Sequence, residues 1–172
     1  LLQWHAAADV RIQQELRQGR TVYAMSNRFL RAVVDPADGG CISLSGASEA
    51  PEHRQASALL ARDTLGTRIC PYSVVYESAS ESVAVLALKW SDEAGIKVEK
   101  TVSLLQAQQV VLVSYRVENG SARDERLHLR FRFPPQAAGE WEVRTYDQSG
   151  AAQCGASALT QGGKVLEEVR WL

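Results

Sequence analysis

A chain of 172 residues and 18.9 kDa has the usual size of one domain, and 45% of its residues are hydrophobic. Its 19 basic and 20 acidic side chains give a formal net charge of -1, which argues against a domain built to neutralise nucleic-acid phosphates. The longest apolar runs, such as residues 110–113, are far shorter than the roughly 20 residues of a membrane-spanning helix. The sequence therefore predicts neither a nucleic-acid partner nor a membrane span.

The first segment, residues 6–18, fits two structures. Ala8, Ile12 and Leu16 share one face of a helix, whereas Val10, Ile12 and Leu16 fit part of a strand pattern. Asp9 near the start and Gly19 just past the end favour the helix. We therefore predict residues 1–20 as an N-terminal segment, a short helix or a first strand, followed by a single β-sandwich domain over residues 21–172.

After Gly19 the sequence changes to short runs with a period near two, which is typical of strands. These runs cover residues 21–25, 29–34, 41–44 and 69–76, the last of them around Pro71. Between two of them, Asp35-Pro-Ala-Asp-Gly-Gly40 contains a proline that fixes φ and glycines that accept positive φ, so it predicts a turn between antiparallel strands. Residues 45–58 predict a long surface loop.

The second half predicts a meander of strands over residues 82–90, 96–105 and 109–118, separated by short polar turns. A further strand over residues 127–133 ends at Pro134 and Pro135, which cannot donate ladder hydrogen bonds. Residues 141–146 and 164–171 supply the last strands. About ten strands without long alternating helices predict an all-β fold, a large twisted antiparallel β-sandwich.

The strand over residues 126–133 alternates leucine or phenylalanine with arginine or histidine, so its cationic side chains are expected on one face. Arg116 on the preceding strand is expected to share that face. Guanidinium groups bind carboxylates, sulfates and sugar hydroxyls, whereas a solvated sheet face is the simpler alternative. The predicted ligand-binding residues are Arg116, Arg126, His128, Arg130 and Arg132, with Trp90 as an aromatic ring for stacking on a ligand.

Catalytic residues stay unknown from the sequence, because no serine-nucleophile elbow, phosphate-binding loop or dinucleotide-binding motif is present. His128 is the one candidate for a general acid or base, since it lies on a clearly predicted strand face. The remaining histidines and the cysteines are scattered without metal-ligand spacing, so we predict no metal, no cofactor and free thiols that are buried or half-buried. They are His5, Cys41, His53, Cys70 and Cys154.

Two stretches resemble the galactose mutarotase-like super-sandwich domains. In residues 27–44, an early strand carrying Asn27 leads through Gly39-Gly40 into a second strand. Residues 100–105 and 111–119 are similar to paired strands of that family, the second of which ends in a Tyr-x-Val-x-Asn pattern, here from Tyr115 to Asn119. The resemblance covers roughly residues 27–133 and implies a super-sandwich that acts on carbohydrate or lies beside it.

The resemblance implies a noncatalytic carbohydrate-associated domain of a larger glycan-active or cell-envelope protein. Its partner would be carbohydrate or another domain of the same protein, and the periplasm or cell exterior is favoured over the cytoplasm. The chain begins at Leu1 without a leader, which we interpret as a processed or excised piece. A protein-interaction or scaffold domain is the first alternative. An aldose 1-epimerase-like enzyme is the second alternative. For this activity the chain departs from the family's pattern, because the His-Pro pair of the epimerases is missing.

Overall fold

The computed structural model describes residues 10–47, 60–120, 127–132, 145–146 and 152–153. For residues 60–61 and for every residue after 120, only the backbone is described. This part of the chain contains thirteen strands, paired only in antiparallel fashion, and one short 3-10 turn. The all-β prediction is therefore confirmed. Among the described residues, no helix has the length and hydrophobicity to cross a bilayer.

Four strands in chain order form the first sheet. They are β1 (Arg11–Arg17), β2 (Arg20–Ser26), β3 (Leu30–Asp35) and β4 (Cys41–Gly46). The helix favoured for the N-terminal segment is wrong over residues 11–17, and residues 6–9 lie outside the described part. The cause is a hairpin turn: Gln18 and Gly19 have φ values of 50° and 75°, as a two-residue type I′ turn requires. Gly19 thus ends a strand, where the sequence suggested the end of a helix.

The second sheet contains the predicted meander. Its order is β10-β9-β8-β7, with β7 (Ser73–Ala79), β8 (Val83–Ser91), β9 (Ile96–Leu105) and β10 (Val111–Asn119). The single strand predicted over residues 69–76 is wrong, because β6 (Arg68–Ile69) ends before Pro71 and β7 begins after it. Proline cannot donate a ladder hydrogen bond, so the chain leaves one sheet and enters another at this point.

The inner faces of these two sheets form one hydrophobic core, as expected of a sandwich. Ala32, Val34 and Ile42 of the first sheet and Leu86 and Val98 of the second are at most 1% exposed. Buried residues alternate with half-buried or exposed ones along β9, which shows that one face of this strand packs inside the protein.

A third sheet has the order β11-β5-β6, with β5 (Leu60–Leu65) and β11 (Leu127–Arg132). The sequence analysis missed β5, because Arg62, Asp63 and Thr64 break the apolar alternation. Two short strands, β12 (Thr145–Tyr146) and β13 (Ala152–Gln153), pair with each other. The predicted strand over residues 164–171 and most of the predicted loop, residues 48–58, lie outside the described residues.

The predicted turn between β3 and β4 is confirmed, and it is a 3-10 turn over Pro36–Asp38. The Asp35 carboxylate accepts a hydrogen bond from the Asp38 amide at 3.2 Å. Gly39 and Gly40 follow with φ values of 64° and 58°. This turn brings the backbone of the first sheet against β5 and β9, where the largest buried polar cluster of the described residues lies.

Candidate functional site

The predicted cationic face is divided between two sheets. Arg116 lies on β10, exposed to solvent, and β10 pairs with β9. β11, which carries His128 and Arg130, pairs with β5 instead, so the prediction that Arg116 and the β11 side chains share one sheet face is wrong. Sequence parity predicts the faces of each strand but not its partner, and β11 pairs with a strand that the sequence analysis missed. The strand itself is confirmed over Leu127–Arg132.

Three predicted ligand-binding residues on β11 are described only by their backbone. They are His128, Arg130 and Arg132, and Arg126 lies outside the described residues. Trp90 opposes Val98, which is fully buried, so its indole is on the core side, half-buried against the core. Arg116 opposes Glu99 on the other side of the same sheet. Trp90 and Arg116 therefore do not line a common surface.

A polar cluster absent from the sequence predictions lies inside the sandwich. Lys100 Nζ donates hydrogen bonds to Asp63 Oδ2 at 2.9 Å and to the Gly40 carbonyl at 2.8 Å. The hydroxyl of Tyr72 donates to Asp63 Oδ2 and that of Tyr115 donates to Asp63 Oδ1, each at 2.9 Å. We call these five residues the buried network. It joins the three larger sheets, since Gly40 leads into β4, Asp63 lies on β5, and Lys100 and Tyr115 lie on β9 and β10.

Burial controls the ionisation of the buried network. Burial raises the pKa of Asp63, although the charge and hydrogen bond of Lys100 oppose that shift. Burial likewise lowers the pKa of Lys100, against the attraction of Asp63. For Tyr72 and Tyr115, burial and then the Asp63 charge raise the pKa well above its ordinary value, so both hydroxyls stay protonated and donate. The ammonium also lies 5.3 Å from the Tyr115 ring centroid.

The charged pair at the centre of the buried network is closed to solvent. Asp63 and Lys100 have no exposed surface and Tyr72 is 6% exposed, whereas Tyr115 is only partly buried and its hydroxyl is bonded to Asp63. A catalytic acid or base has to come within hydrogen-bonding distance of its substrate, which Asp63 and Lys100 cannot do in the described conformation. The geometry therefore fits a structural role, in which one carboxylate holds three sheets together.

One half of the buried network has a signal in the sequence. Lys100 occupies the centre of an alternating run whose other members are apolar and buried, so parity alone directs it inward. The run is Ile96, Val98, Lys100, Val102 and Leu104. Asp63 has no comparable signal, because Arg62, Asp63 and Thr64 follow one another and leave its strand without apolar alternation. An inward lysine does predict a buried carboxylate partner, although it does not say which one.

The second sheet also presents its other side to solvent, and we call this side the outer face. On β7, Val74 opposes the buried Leu88, while Tyr76 opposes Ala87, whose side chain is on the outer face. Val75 is the extra residue of a β-bulge between them. In a regular strand Val74 and Tyr76 would share a face; the bulge instead turns Tyr76 outward, where it is 57% exposed.

Small and hydroxyl-bearing side chains continue the outer face beside Tyr76. Ala87 opposes Thr101 on β9, and Thr101 opposes Ser114 on β10. Because neighbouring strands lie about 4.8 Å apart, Tyr76 and Thr101 are separated by roughly 10 Å, with only the Ala87 methyl between them. The row therefore forms a flat strip with an aromatic ring at one end and two hydroxyls at the other.

Charged side chains border this strip in paired form. Lys89 Nζ lies 3.2 Å from Glu99 Oε1, and Lys97 Nζ lies 3.7 Å from Glu118 Oε2. Arg116 Nη2 lies 3.0 Å from Glu118 Oε1. All five side chains are substantially exposed, so each pair contributes at most about 1 kcal/mol to stability.

The described residues contain no cluster of three or more histidine, cysteine, aspartate or glutamate side chains that could hold a metal ion. His5, His53 and Cys154 lie outside the described residues. Cys41 and Cys70 are buried free thiols. This confirms the prediction of buried free thiols for those two cysteines.

Comparisons of the chain with protein-family models, with curated proteins and with solved structures found no significant match. The resemblance to galactose mutarotase-like domains therefore stays a prediction. The structure does give Asn27, one of the residues that carry the resemblance, a role in the fold. Its Oδ1 accepts from the amides of Phe29 and Leu30, and its Nδ2 donates to the carbonyls of Leu105 and Gln108.

Proposed function

We propose that this chain is a noncatalytic carbohydrate-associated domain that binds a glycan on its outer face. The observation that carries the proposal is the β-bulge that turns Tyr76 outward, beside Ala87 and the hydroxyl of Thr101. Bulges frequently redirect a side chain next to a functional site. Here the bulge exposes an aromatic ring that a regular strand would direct into the core.

The chemistry of this strip suits a sugar ring. An exposed tyrosine offers an apolar face for the C–H groups of a pyranose and a hydroxyl at its tip. A side chain larger than that of Ala87 would project into the space beside the ring, whereas its methyl group leaves that space open. Thr101 and Ser114 can each donate and accept a hydrogen bond, as the hydroxyls of a sugar require.

The proposal that the domain is noncatalytic is supported by the bonding of the ionisable groups inside the sandwich whose pKa values are displaced. Asp63, Lys100, Tyr72 and Tyr115 are engaged with one another in the buried network. The epimerase alternative depends on His128, whose side chain lies outside the described part, and it stays a prediction. Polarimetry of freshly dissolved sugars tests it directly, since a mutarotation rate above that of buffer would support catalysis.

Isothermal titration calorimetry with a panel of oligosaccharides tests the proposal. Binding is expected for at least one glycan, with a loss of affinity of about tenfold or more in Tyr76→Ala and near-native affinity in Tyr76→Phe, which keeps the ring. Leu16→Ala is the matched control, because Leu16 is 77% exposed on the first sheet, away from the outer face. Absence of heat for every glycan, with a folded protein, would contradict the proposal.

A protein-interaction domain is the second candidate, favoured by the apolar side chains of β10. Leu112 and Val117 are 50% and 44% exposed, on a strand that is outermost among the described strands of its sheet. A long strand of this kind can pair with a second copy of the chain. In an antiparallel pair centred on Val117, Arg116 of each copy would lie opposite Glu118 of the other copy. The two cross-strand pairs therefore have complementary charges.

Light scattering after gel filtration separates this candidate from a monomeric glycan binder. A dimer mass that increases with concentration, and that falls to the monomer mass in Val117→Lys, would support self-pairing. Arg116→Glu should have a similar effect, because it places two acidic side chains opposite each other. A monomer at all concentrations would exclude self-pairing along β10 and leave the glycan proposal in place.

A further inference from the structure

We infer that the outer face selects an uncharged glycan over an acidic one. The inference rests on the proposed function and adds the class of ligand. It follows from the charges around the strip, where every described cationic side chain that borders it already has a carboxylate partner.

Each of the three cationic side chains at the border of the strip contacts a carboxylate. Lys89 contacts Glu99, and both Lys97 and Arg116 contact Glu118. Three cations and two carboxylates leave a formal charge of only +1 on this group. A uronate or sulfate would have to displace a carboxylate from its cation before it could form a charge-assisted hydrogen bond.

The two carboxylates also act against an acidic ligand. Glu99 lies between Lys89 and Arg116 in the same cross-strand row, directly beside the row of Tyr76 and Thr101. A ligand carboxylate over Thr101 would therefore lie near Glu99, and like charges at such short range are repulsive. The negative groups at the border thus repel an anionic ligand. In addition, the described side chains of this face include no cation without a carboxylate partner that could bind one.

The centre of the strip offers hydroxyls, which match neutral sugars. Beside the row of Thr101 and Ser114 lies a second row, in which Ser78 and Ser103 are also on the outer face. Hydroxyl groups donate and accept with rotatable geometry, so they can follow the alternating donors and acceptors of a pyranose. Such contacts carry no net charge and should therefore depend little on salt.

Calorimetry on the intact chain with two families of probes tests the inference. The neutral probes are hexasaccharides of glucose, xylose, mannose and galactose; the acidic probes are hexagalacturonate and a heparin-derived hexasaccharide. We expect a neutral probe to bind, with its Kd changed less than about twofold between 50 and 500 mM NaCl. Thr101→Val should weaken it about tenfold, and the control Thr21→Val, which removes an exposed threonine hydroxyl of the first sheet, should not.

The charge argument has its own variant. Glu99→Gln with Glu118→Gln keeps the shapes of both side chains and frees three cations, so it should create affinity for hexagalacturonate that falls steeply with salt. Tight binding of an acidic probe by the native chain, lost in Tyr76→Ala, would overturn the inference while the glycan-binding function remains. Failure of both probe families would overturn the proposed function itself.

Discussion

Lys100 and Asp63 form an ion pair in which 2.9 Å separates Nζ from Oδ2 and neither side chain has any exposed surface. Removing two charges from water is expensive, and their attraction repays it only with good geometry and further hydrogen bonds. Both conditions are met here, since the Gly40 carbonyl accepts a second hydrogen bond from Lys100 and the Tyr72 and Tyr115 hydroxyls both donate to Asp63. The pair therefore depends on three sheets being assembled at once.

Replacing Lys100 with methionine should lower the free energy of unfolding by about 3 to 5 kcal/mol, because Asp63 would remain buried without its cation. Urea denaturation monitored by circular dichroism measures this loss. Lys100→Met combined with Asp63→Asn is the matched control, since the amide is close in shape to the carboxylate and carries no charge. The double variant should regain much of the loss; a double variant as unstable as the sum of the single ones would contradict the argument.

Replacing Gly39 with alanine should be far more damaging than the same change at Gly19. Both glycines have positive φ, which costs an alanine about 1 to 2 kcal/mol. A Cβ at Gly19 would meet no atom within 4 Å, whereas one at Gly39 would lie 2.6 Å from the Asp63 carbonyl oxygen. Thermal denaturation of both variants should show a loss at Gly39 that is larger by about 1 to 3 kcal/mol. Equal losses would mean that β5 moves away without cost.

Replacing Asn27 with alanine should cost about 2 to 4 kcal/mol, because four hydrogen bonds of a buried side chain are lost together. Asn27→Asp is the informative comparison. It keeps the acceptor for the Phe29 and Leu30 amides but directs a carboxylate at the carbonyls of Leu105 and Gln108. We expect it to be destabilised as well, most strongly at neutral pH; a fully stable aspartate variant would show that the two donated bonds contribute little.

Strand periodicity predicted the meander, and the proline and glycines of residues 35–40 predicted the turn, because both features depend on neighbours in the sequence. The bulge at Val75 was not predictable in the same way, because one extra residue reverses the parity of Tyr76 and leaves no compositional mark. The parity of β9 directs Lys100 inward, a signal that the sequence predictions did not use, and its partner Asp63 lies 37 residues away on a strand without apolar alternation. The candidate site depends on these long-range relations, which single-sequence patterns do not contain.

The two buried cysteines give a prediction for alkaline pH. Burial raises the pKa of Cys41 to about 11, and the Asp38 charge adds to the effect. Burial likewise raises the pKa of Cys70 to about 11, with a contribution from Asp63. In the unfolded chain the pKa of a thiol is about 8.5. The unfolded state therefore releases protons first, so the contribution of each thiol to stability is complete below pH 8.5 and is lost as the pH rises to about 11.

Cys41→Ala with Cys70→Ala removes this contribution and serves as the comparison. At pH 7 the double variant should be less stable than the native chain, because two buried side chains are shortened. Urea denaturation at intervals from pH 7 to pH 11 should show that the difference in free energy of unfolding between the two proteins becomes smaller as the pH rises. Only the native chain has these two thiols to ionise, whereas the tyrosines titrate in both proteins. Stability curves that stay parallel over this range would show that Cys41 and Cys70 ionise as freely in the folded protein as in the unfolded one.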